Sequence, residues 1–220
     1  MAGAKQKREI VIANCSALAL TKGFGKYKPE DENAVRKVEV VENETLRQLK
    51  KAWGNYTVAG VLHDLDYLPA LALAEKLEYT AADVEKFCIA LAEFQDEKHF
   101  SKKAGLFLSA LINNGKDTDY VIHTKHLVRP MECICFQNTK NVIVKGNALL
   151  GIGWDMKRGQ IIVEGDADHL VGLRMRGGSI TVKGNAGEWV GSKMTGGKIR
   201  LEGGCKSIAT DATGGQIFRH

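Results

Sequence analysis

Two cysteines separated by one residue are the strongest candidates for metal ligands in the sequence. Cys133 and Cys135 could join Cys205 and a histidine in a zinc site, because thiolates and imidazoles are the usual ligands of structural zinc. Side chains two residues apart also share one face of a β-strand, where cysteine packs as a small apolar residue. We favour packing, because the sequence contains no C-x-x-C pair of the kind that zinc and iron–sulfur sites use. We therefore predict no metal site.

Two groups of histidines could carry out acid–base or metal chemistry. His63 lies beside Asp64 and Asp66 at the start of an apolar helix, where acidic residues also interact favourably with the helix dipole. His123 and His126 have a spacing that metals use on helices, but the polar sequence around them predicts a linker. For both groups we favour a structural role, so we predict no catalytic residue.

The glycine-rich pieces do not predict nucleotide binding. Gly23 and Gly25 lack the following Lys-Ser/Thr and the strand–loop–helix frame of a phosphate-binding loop. Gly151-Ile152-Gly153 resembles part of a dinucleotide fingerprint, but its glycines recur at a fixed interval and are better explained as corners of a repeat. We therefore predict no cofactor.

The elements that would position all these residues are set by a repeat in the last third of the chain. Three columns of residues recur every 19 positions: Gly146, Gly165, Gly184 and Gly203; Gly153, Gly172 and Gly191; Met156, Met175 and Met194. The glycine pair Gly214-Gly215 falls one residue early. A period near 20 is typical of a solenoid in which each repeat forms one coil.

The apolar columns indicate β-structure. Two of them lie two residues apart and would share one face of a strand: Val142, Ile161, Ile180 and Ile199; Val144, Val163, Val182 and Leu201. Further apolar columns include Ala148, Ala167 and Ala186, so apolar side chains from the whole period point to a common centre. This much glycine argues against a helical repeat. We therefore predict a parallel β-helix with short strands and glycine corners.

Two charged columns are predicted to face outwards. Lys145, Glu164, Lys183 and Glu202 alternate in sign, so each would lie between opposite charges on neighbouring strands about 4.8 Å apart. Asp155, Arg174 and Lys193 form a second outward column of mixed sign.

The repeat resembles a known family. The pattern G-D-A-x-x-x-x-G-x-x-M-x-G-G-x-I-x-V-x-G, from Gly165 to Gly184, resembles the GXGXG β-helix domain found in a small subunit of formylmethanofuran dehydrogenase and in the large subunit of glutamate synthase. The resemblance covers roughly residues 127–220 and implies a right-handed parallel β-helix. In those relatives the domain lies beside the catalytic parts and is not itself the redox centre. The resemblance thus implies that the glycines and methionines of the repeat are structural.

The predicted fold class is α+β, with a C-terminal right-handed parallel β-helix of about 19 residues per coil after a mainly helical segment. We predict four parts: a β/loop segment at 1–42, a helical segment at 43–115, a linker at 116–126 and the GXGXG-type β-helix at 127–220. Asn43 and Thr80 are predicted helix caps, the latter in a capping box with Asp83. Residues 127–145 read as a degenerate first coil, in which Gln137 takes the methionine position.

Large side chains at variable positions of the repeat form a candidate binding patch. These residues are Trp154, His169, Arg174, Trp189 and Lys193. An aromatic and basic patch on a flat solenoid face could bind a partner. The same pattern also fits an ordinary solvated surface with scattered large residues.

Composition and charge limit the classes of function. The chain has 44% hydrophobic and 26% charged residues and a formal net charge of +5, with mixed signs along its length. The five cysteines and the absence of a signal sequence or long apolar run favour a cytoplasmic protein without a membrane span. We expect a protein partner or a homo-oligomer, and we do not expect nucleic acid.

Three functions remain open on the sequence. The leading hypothesis is a non-catalytic scaffold or interaction subunit, as the resemblance implies. The second is an enzyme or accessory enzyme whose site lies between the helical segment and the β-helix. The third is a module that binds a small ligand or nucleic acid, which the net charge of +5 would allow.

Overall fold

The structure, a computed structural model, describes residues 8–10, 38–40, 42–59 and 63–219. Its first elements are strands β1 (Arg8–Ile10) and β2 (Val38–Val40), which pair antiparallel. Both strands lie in the predicted β/loop segment at 1–42. Gly23 and Gly25 lie outside the described residues.

Four α-helices follow in the described part of the predicted helical segment: α1 (Glu44–Asn55), α2 (His63–Ala74), α3 (Ala81–Ala90) and α4 (Phe100–Asn114), with a 3₁₀ turn at Leu91–Phe94. Both predicted caps are confirmed. The side chain of Asn43 accepts a hydrogen bond from the Leu46 amide at 2.8 Å. Thr80 and Asp83 exchange the reciprocal bonds of a capping box, which satisfy amides that have no partner within the helix.

The helices pack around one tryptophan. The ring of Trp53 lies within 6.2 Å of the rings of Phe87, Phe100 and Phe107, and its indole N–H donates to Glu97 at 3.0 Å. The ammonium of Lys103 lies 4.2 Å above the same ring. This aromatic group is part of one hydrophobic core that continues from the helices into the solenoid.

The second half of the chain is a parallel β-solenoid of six strands in sequence order: β3 (Asp119–His123), β4 (Asn141–Lys145), β5 (Gln160–Val163), β6 (Ser179–Val182), β7 (Thr195–Leu201) and β8 (Gly214–Arg219). The predicted columns are confirmed, since Ile161, Ile180 and Ile199 are register partners in successive strands and all are buried. The alanine column is continued by Cys205. The predicted fold class therefore holds.

The solenoid starts earlier than the sequence predicts. Strand β3 lies inside the predicted linker at 116–126, and Asp119 pairs with Asn141 in parallel. The first coil spans 22 residues between those partners instead of 19. The longer coil hides the period at the sequence level, so the boundary at 127 is wrong.

The methionine position of the first coil is also one residue later than predicted. Lys157 donates its amide to the carbonyl of Asn138, just as Arg176 donates to Met156 in the next coil. Asn138, not Gln137, therefore stacks below Met156. Asn138 is fully buried, and its amide group donates to the carbonyl of Lys140 at 2.7 Å. That bond satisfies the side-chain N–H group, whereas Oδ1 accepts no hydrogen bond from the described residues.

Each methionine packs against a glycine of the following coil. Gly178 has a φ of +82°, and a Cβ placed there would lie 2.6 Å from the Cε of Met156. The same contact recurs between Met175 and Gly197, and between Met194 and Gly215. The glycine pairs therefore make room for the methionine column.

The two ends of the solenoid differ. Helix α3 covers the first strand, where the Cys88 thiol donates to the carbonyl of His123 at 3.2 Å. At the other end the last coil is one residue shorter, so that Lys198 pairs with Gln216. This deletion explains why Gly214-Gly215 falls early. Arg219 is the register partner of the buried Leu201 but is itself exposed, and a charge on an edge strand discourages further strand pairing.

Helix α2 carries apolar residues on both its buried and its exposed sides. Tyr67, Ala70 and Ala74 are buried, whereas Leu65 and Leu68 remain about 60% exposed. Among the helices in the described part of the chain, none combines the length and the apolar character that a membrane crossing requires.

Candidate interaction surface

The structure separates the five residues of the predicted patch. Trp154 is not on the free outer surface, because the His63 ring of α2 lies 4.2 Å from its ring and Phe136 lies on another side at 6.1 Å. Its indole N–H is buried and has no hydrogen-bond partner in the structure as described. Trp154 therefore belongs to the junction between the helices and the solenoid.

His169 and Trp189 do form a contact, as the patch requires. Their ring centroids are 5.9 Å apart, and Trp189 is 53% exposed. The imidazole lies between two carboxylates, with its Nδ1 against Asp168 and its Nε2 at 3.8 Å from Glu188. We call these two rings the aromatic spot.

Arg174 and Lys193 lie at the other end of the same turns, in the column that begins with Asp155. The prediction that Asp155 faces solvent is wrong, since its side chain is only 2% exposed. Two arginines cover it: Arg174 binds both carboxylate oxygens, at 2.9 and 3.1 Å, and Arg176 reaches Oδ1 at 3.3 Å. A buried carboxylate requires such partners.

These arginines belong to a larger set of cations at one corner of the solenoid, where each turn leads into the next strand. The set, which we call the basic ridge, comprises Lys157, Arg158, Arg174, Arg176, Lys193 and Lys198. Five of the six are exposed, and Arg174 is partly exposed. Hydrogen bonds from rung to rung, such as Arg176 N–H to Met156 O at 2.9 Å, stack the corners in a row.

Few carboxylates balance the basic ridge. Asp155 is buried beneath it, and Asp211 at its far end accepts hydrogen bonds from the Lys193 amide and the Ser192 hydroxyl. The bond from Lys193 lowers the pKa of Asp211, which therefore stays ionised. Asp64 accepts a hydrogen bond from the side-chain amide of Gln137 in the first coil, and the amide oxygen of Gln137 accepts a hydrogen bond from Lys157 at 3.0 Å. Among the described residues, six cations thus face three carboxylates.

Sequence reasoning found only two members of the basic ridge. Lys157, Arg158, Arg176 and Lys198 were missed because their side chains are ordinary surface residues when each coil is considered alone. A signal was present, since Lys157 and Arg176 each follow a methionine of the repeat directly. A comparison of that column between coils would have identified the basic corner.

The acid–base candidates at the junction are held in structural contacts. Lys102 donates to Asp66 at 2.6 Å, and the same carboxylate accepts the Ala59 amide at 2.7 Å. Burial, aided by the charge of Lys102, lowers the pKa of His63 and favours the neutral ring. These contacts tie α2 to α4 and fit the structural role predicted for His63 and Asp66.

The second histidine pair lies under helix α3 and not in a linker. His123 is on strand β3, where its Nε2 lies 2.6 Å from Glu85, and His126 contacts the carbonyl of Cys88 at 3.2 Å. Burial lowers the pKa of His126. Both histidines thus fix the helical cap on the first coil.

The closely spaced cysteines are buried, but they are not on a strand. Cys133 and Cys135 have φ values of +55° and +60° and lie in the left-handed turn of the first coil. Burial raises the pKa of Cys133 to about 12, which keeps its thiol protonated. Across the ranges that the structure describes, no three potential ligands converge on a metal site.

Comparisons of the chain with protein-family models, with curated proteins and with solved structures find no match. The surfaces themselves are therefore the basis for inferring a function. The strongest of them is the basic ridge, followed by the aromatic spot and by the junction around Trp154.

Proposed function

We propose that the protein is a non-catalytic interaction subunit that binds a protein partner through its solenoid. The observation that carries this proposal is the basic ridge, where six cations lie on adjacent rungs with few carboxylates beside them. Charge of one sign along a rigid edge attracts a partner of opposite charge and fixes its orientation.

We also propose that the solenoid is a GXGXG-type β-helix like those of formylmethanofuran dehydrogenase and glutamate synthase. The support is the motif from Gly165 to Gly184 together with the packing of each methionine on a glycine of the following coil. In this proposal the repeat acts as a scaffold within a larger assembly, and the chemistry belongs to other subunits.

A ligand site at the junction is the second candidate, as an accessory-enzyme function would require. It is favoured by the buried indole N–H of Trp154, which has no partner among the described residues, beside the imidazole of His63. Such a donor could bind an acceptor group of a small ligand. The groups around it are otherwise engaged with one another, so we rank this candidate below the first.

Cross-linking in the source cells, followed by mass spectrometry, tests the leading proposal. We expect cross-links from lysines of the basic ridge to one recurring protein, and a mass above that of the monomer by light scattering at low salt. Lys76, an exposed lysine on the helical segment, is the internal control and should not show this preference. A monomer that has no partner and turns over a substrate would contradict the proposal.

A further inference from the structure

The basic ridge has a feature that points to the chemistry of its partner. We infer that it binds an acidic segment of a protein, with carboxylates of that segment on the guanidinium groups of Arg174 and Arg176. This inference rests on the proposed interaction function and specifies the partner of that same surface.

The two guanidinium groups are held in place from below. Oδ1 of Asp155 accepts one hydrogen bond from Arg174 and one from Arg176, Oδ2 forms an ion pair with Arg174 at 2.9 Å, and the carboxylate is almost fully buried. Each guanidinium has five N–H donors, so both retain donors that Asp155 does not use. One carboxylate compensates one of the two positive charges. An excess of charge and of donors remains for a carboxylate from outside, which arginine binds in a bidentate manner.

Fixed side chains make binding less costly. A lysine or arginine that is free in solution loses rotamer entropy when it binds, and a side chain that is already held loses less. Arg174 and Arg176 are held by Asp155, and Lys157 is held by Gln137 at 3.0 Å. Three of the six ridge cations are therefore preorganised, which distinguishes this ridge from a row of freely moving surface lysines.

The residue types of the basic ridge favour a protein segment over nucleic acid as the partner. Proteins that bind single-stranded nucleic acid combine cations with aromatic side chains on which bases stack. The ridge positions contain no aromatic residue, and the exposed rings of Trp189 and Phe218 lie at other positions of their coils. A carboxylate-rich segment needs only the cations.

Within the described solenoid, a second copy of the chain does not offer a matching acidic edge. At the opposite ends of the strands, Glu164 and Glu202 alternate with Lys145 and Lys183, so their formal charges cancel. A row of mixed sign would place like charges together when docked on the basic ridge. The occupant that fits is a segment of another protein with several Asp or Glu residues.

Fluorescence anisotropy with a labelled peptide of about ten glutamates tests the inference, because an extended chain of that length, at about 3.4 Å per residue, exceeds the rungs of the ridge. The full-length protein is titrated at low salt and again at higher salt. We expect saturable binding that weakens as salt is added, and no binding to a glutamine peptide of the same length.

Two double variants and a matched control locate the site. Arg174→Gln with Arg176→Gln should weaken peptide binding about tenfold or more, because two charge-assisted contacts are lost. Arg158→Gln with Lys193→Gln should weaken it less, about three- to tenfold, and leaves the contacts of Asp155 intact, which guards against a folding defect.

The matched control, Lys145→Gln with Lys183→Gln, removes the same charge from the opposite corner and should change affinity by less than about twofold. Equal losses in ridge and control variants would overturn the inference, because the peptide would then respond to net charge alone. Tighter binding of an oligothymidylate than of the glutamate peptide would replace the protein segment with nucleic acid.

The same titrations separate this inference from the proposal beneath it. If the glutamate peptide does not bind but cross-links still recur to one protein, the interaction function stands and the acidic partner is wrong. If ridge variants change the mass of the purified protein instead, the occupant is a second copy and the inference is again wrong.

Discussion

Replacing Gly172 with alanine tests the packing between coils most directly. Gly172 has a φ of +67°, and an added Cβ would lie 2.7 Å from the Cδ1 of Ile199 on strand β7. A left-handed conformation costs an L-residue about 1–2 kcal/mol. Forcing a methyl group into a packed core costs about 1–3 kcal/mol more. We therefore expect Gly172→Ala to lower the free energy of unfolding by about 2–5 kcal/mol.

A second substitution removes only the clash. Ile199→Val deletes the Cδ1 atom that meets the new methyl group, and by itself an Ile→Val change in a core costs about 0.5–1.5 kcal/mol. In the double variant the alanine Cβ occupies the space that Cδ1 has left. The remaining cost should be close to that of the backbone alone, about 1–2 kcal/mol.

Urea unfolding of the four proteins in this cycle measures the coupling. Tryptophan fluorescence is a suitable signal, because Trp154 and Trp189 both lie in the solenoid. We expect the double variant to be more stable than the sum of the single effects by about 1.5–4.5 kcal/mol, because both the clash and the cost of the Ile→Val cavity disappear. Additivity to within about 0.5 kcal/mol would refute the close contact between Gly172 and Ile199.

Gly54 provides the matched control for the same chemical change. It lies in helix α1, and an added Cβ would meet no atom within 4 Å. Alanine is a better helix former than glycine by about 0.5–1 kcal/mol. Gly54→Ala should therefore leave stability unchanged or raise it, opposite in sign to Gly172→Ala.

Three further predictions concern other parts of the chain. Thr80→Ala removes the capping box of α3 and should cost about 0.5–2 kcal/mol in urea unfolding. Asp155→Asn leaves two arginines without their buried carboxylate and should cost about 1–3 kcal/mol, seen as a lower Tm, whereas an unchanged Tm would contradict the pairing. Because burial lowers the pKa of His126, its stabilising neutral form persists above about pH 6.5 and is lost as the pH falls towards the folded pKa, with a slope of up to about 1.4 kcal/mol per pH unit. His126→Gln should flatten this dependence.

The sequence determined the solenoid because each coil contacts little beyond its neighbours. Stacking then requires residues of equal character at one fixed spacing, and this requirement is visible in the chain itself. The isoleucines at 161, 180 and 199 were placed in register on that ground alone. Helix caps are similarly local, since Thr80 and Asp83 need only three residues of chain to form their bonds.

Departures from the repeat were decided by the tertiary structure. The long first coil, which pairs Asp119 with Asn141, breaks the period, so no constant spacing reveals β3. The predicted patch failed as a unit because helix α2 packs against Trp154, a contact between residues far apart in the chain.

The burial of Asp155 shows the same limit of sequence-based prediction at a single residue. Its column continues with Arg174 and Lys193, and a charged column predicts an outward side chain. Only the structure shows two arginines closing over the carboxylate, because the ion pairs join successive coils and depend on the directions of three side chains. The sequence determined which residues stack, since stacking repeats along the chain. The tertiary structure decided which of them are covered and which remain open to a partner, since that depends on contacts the repeat does not encode.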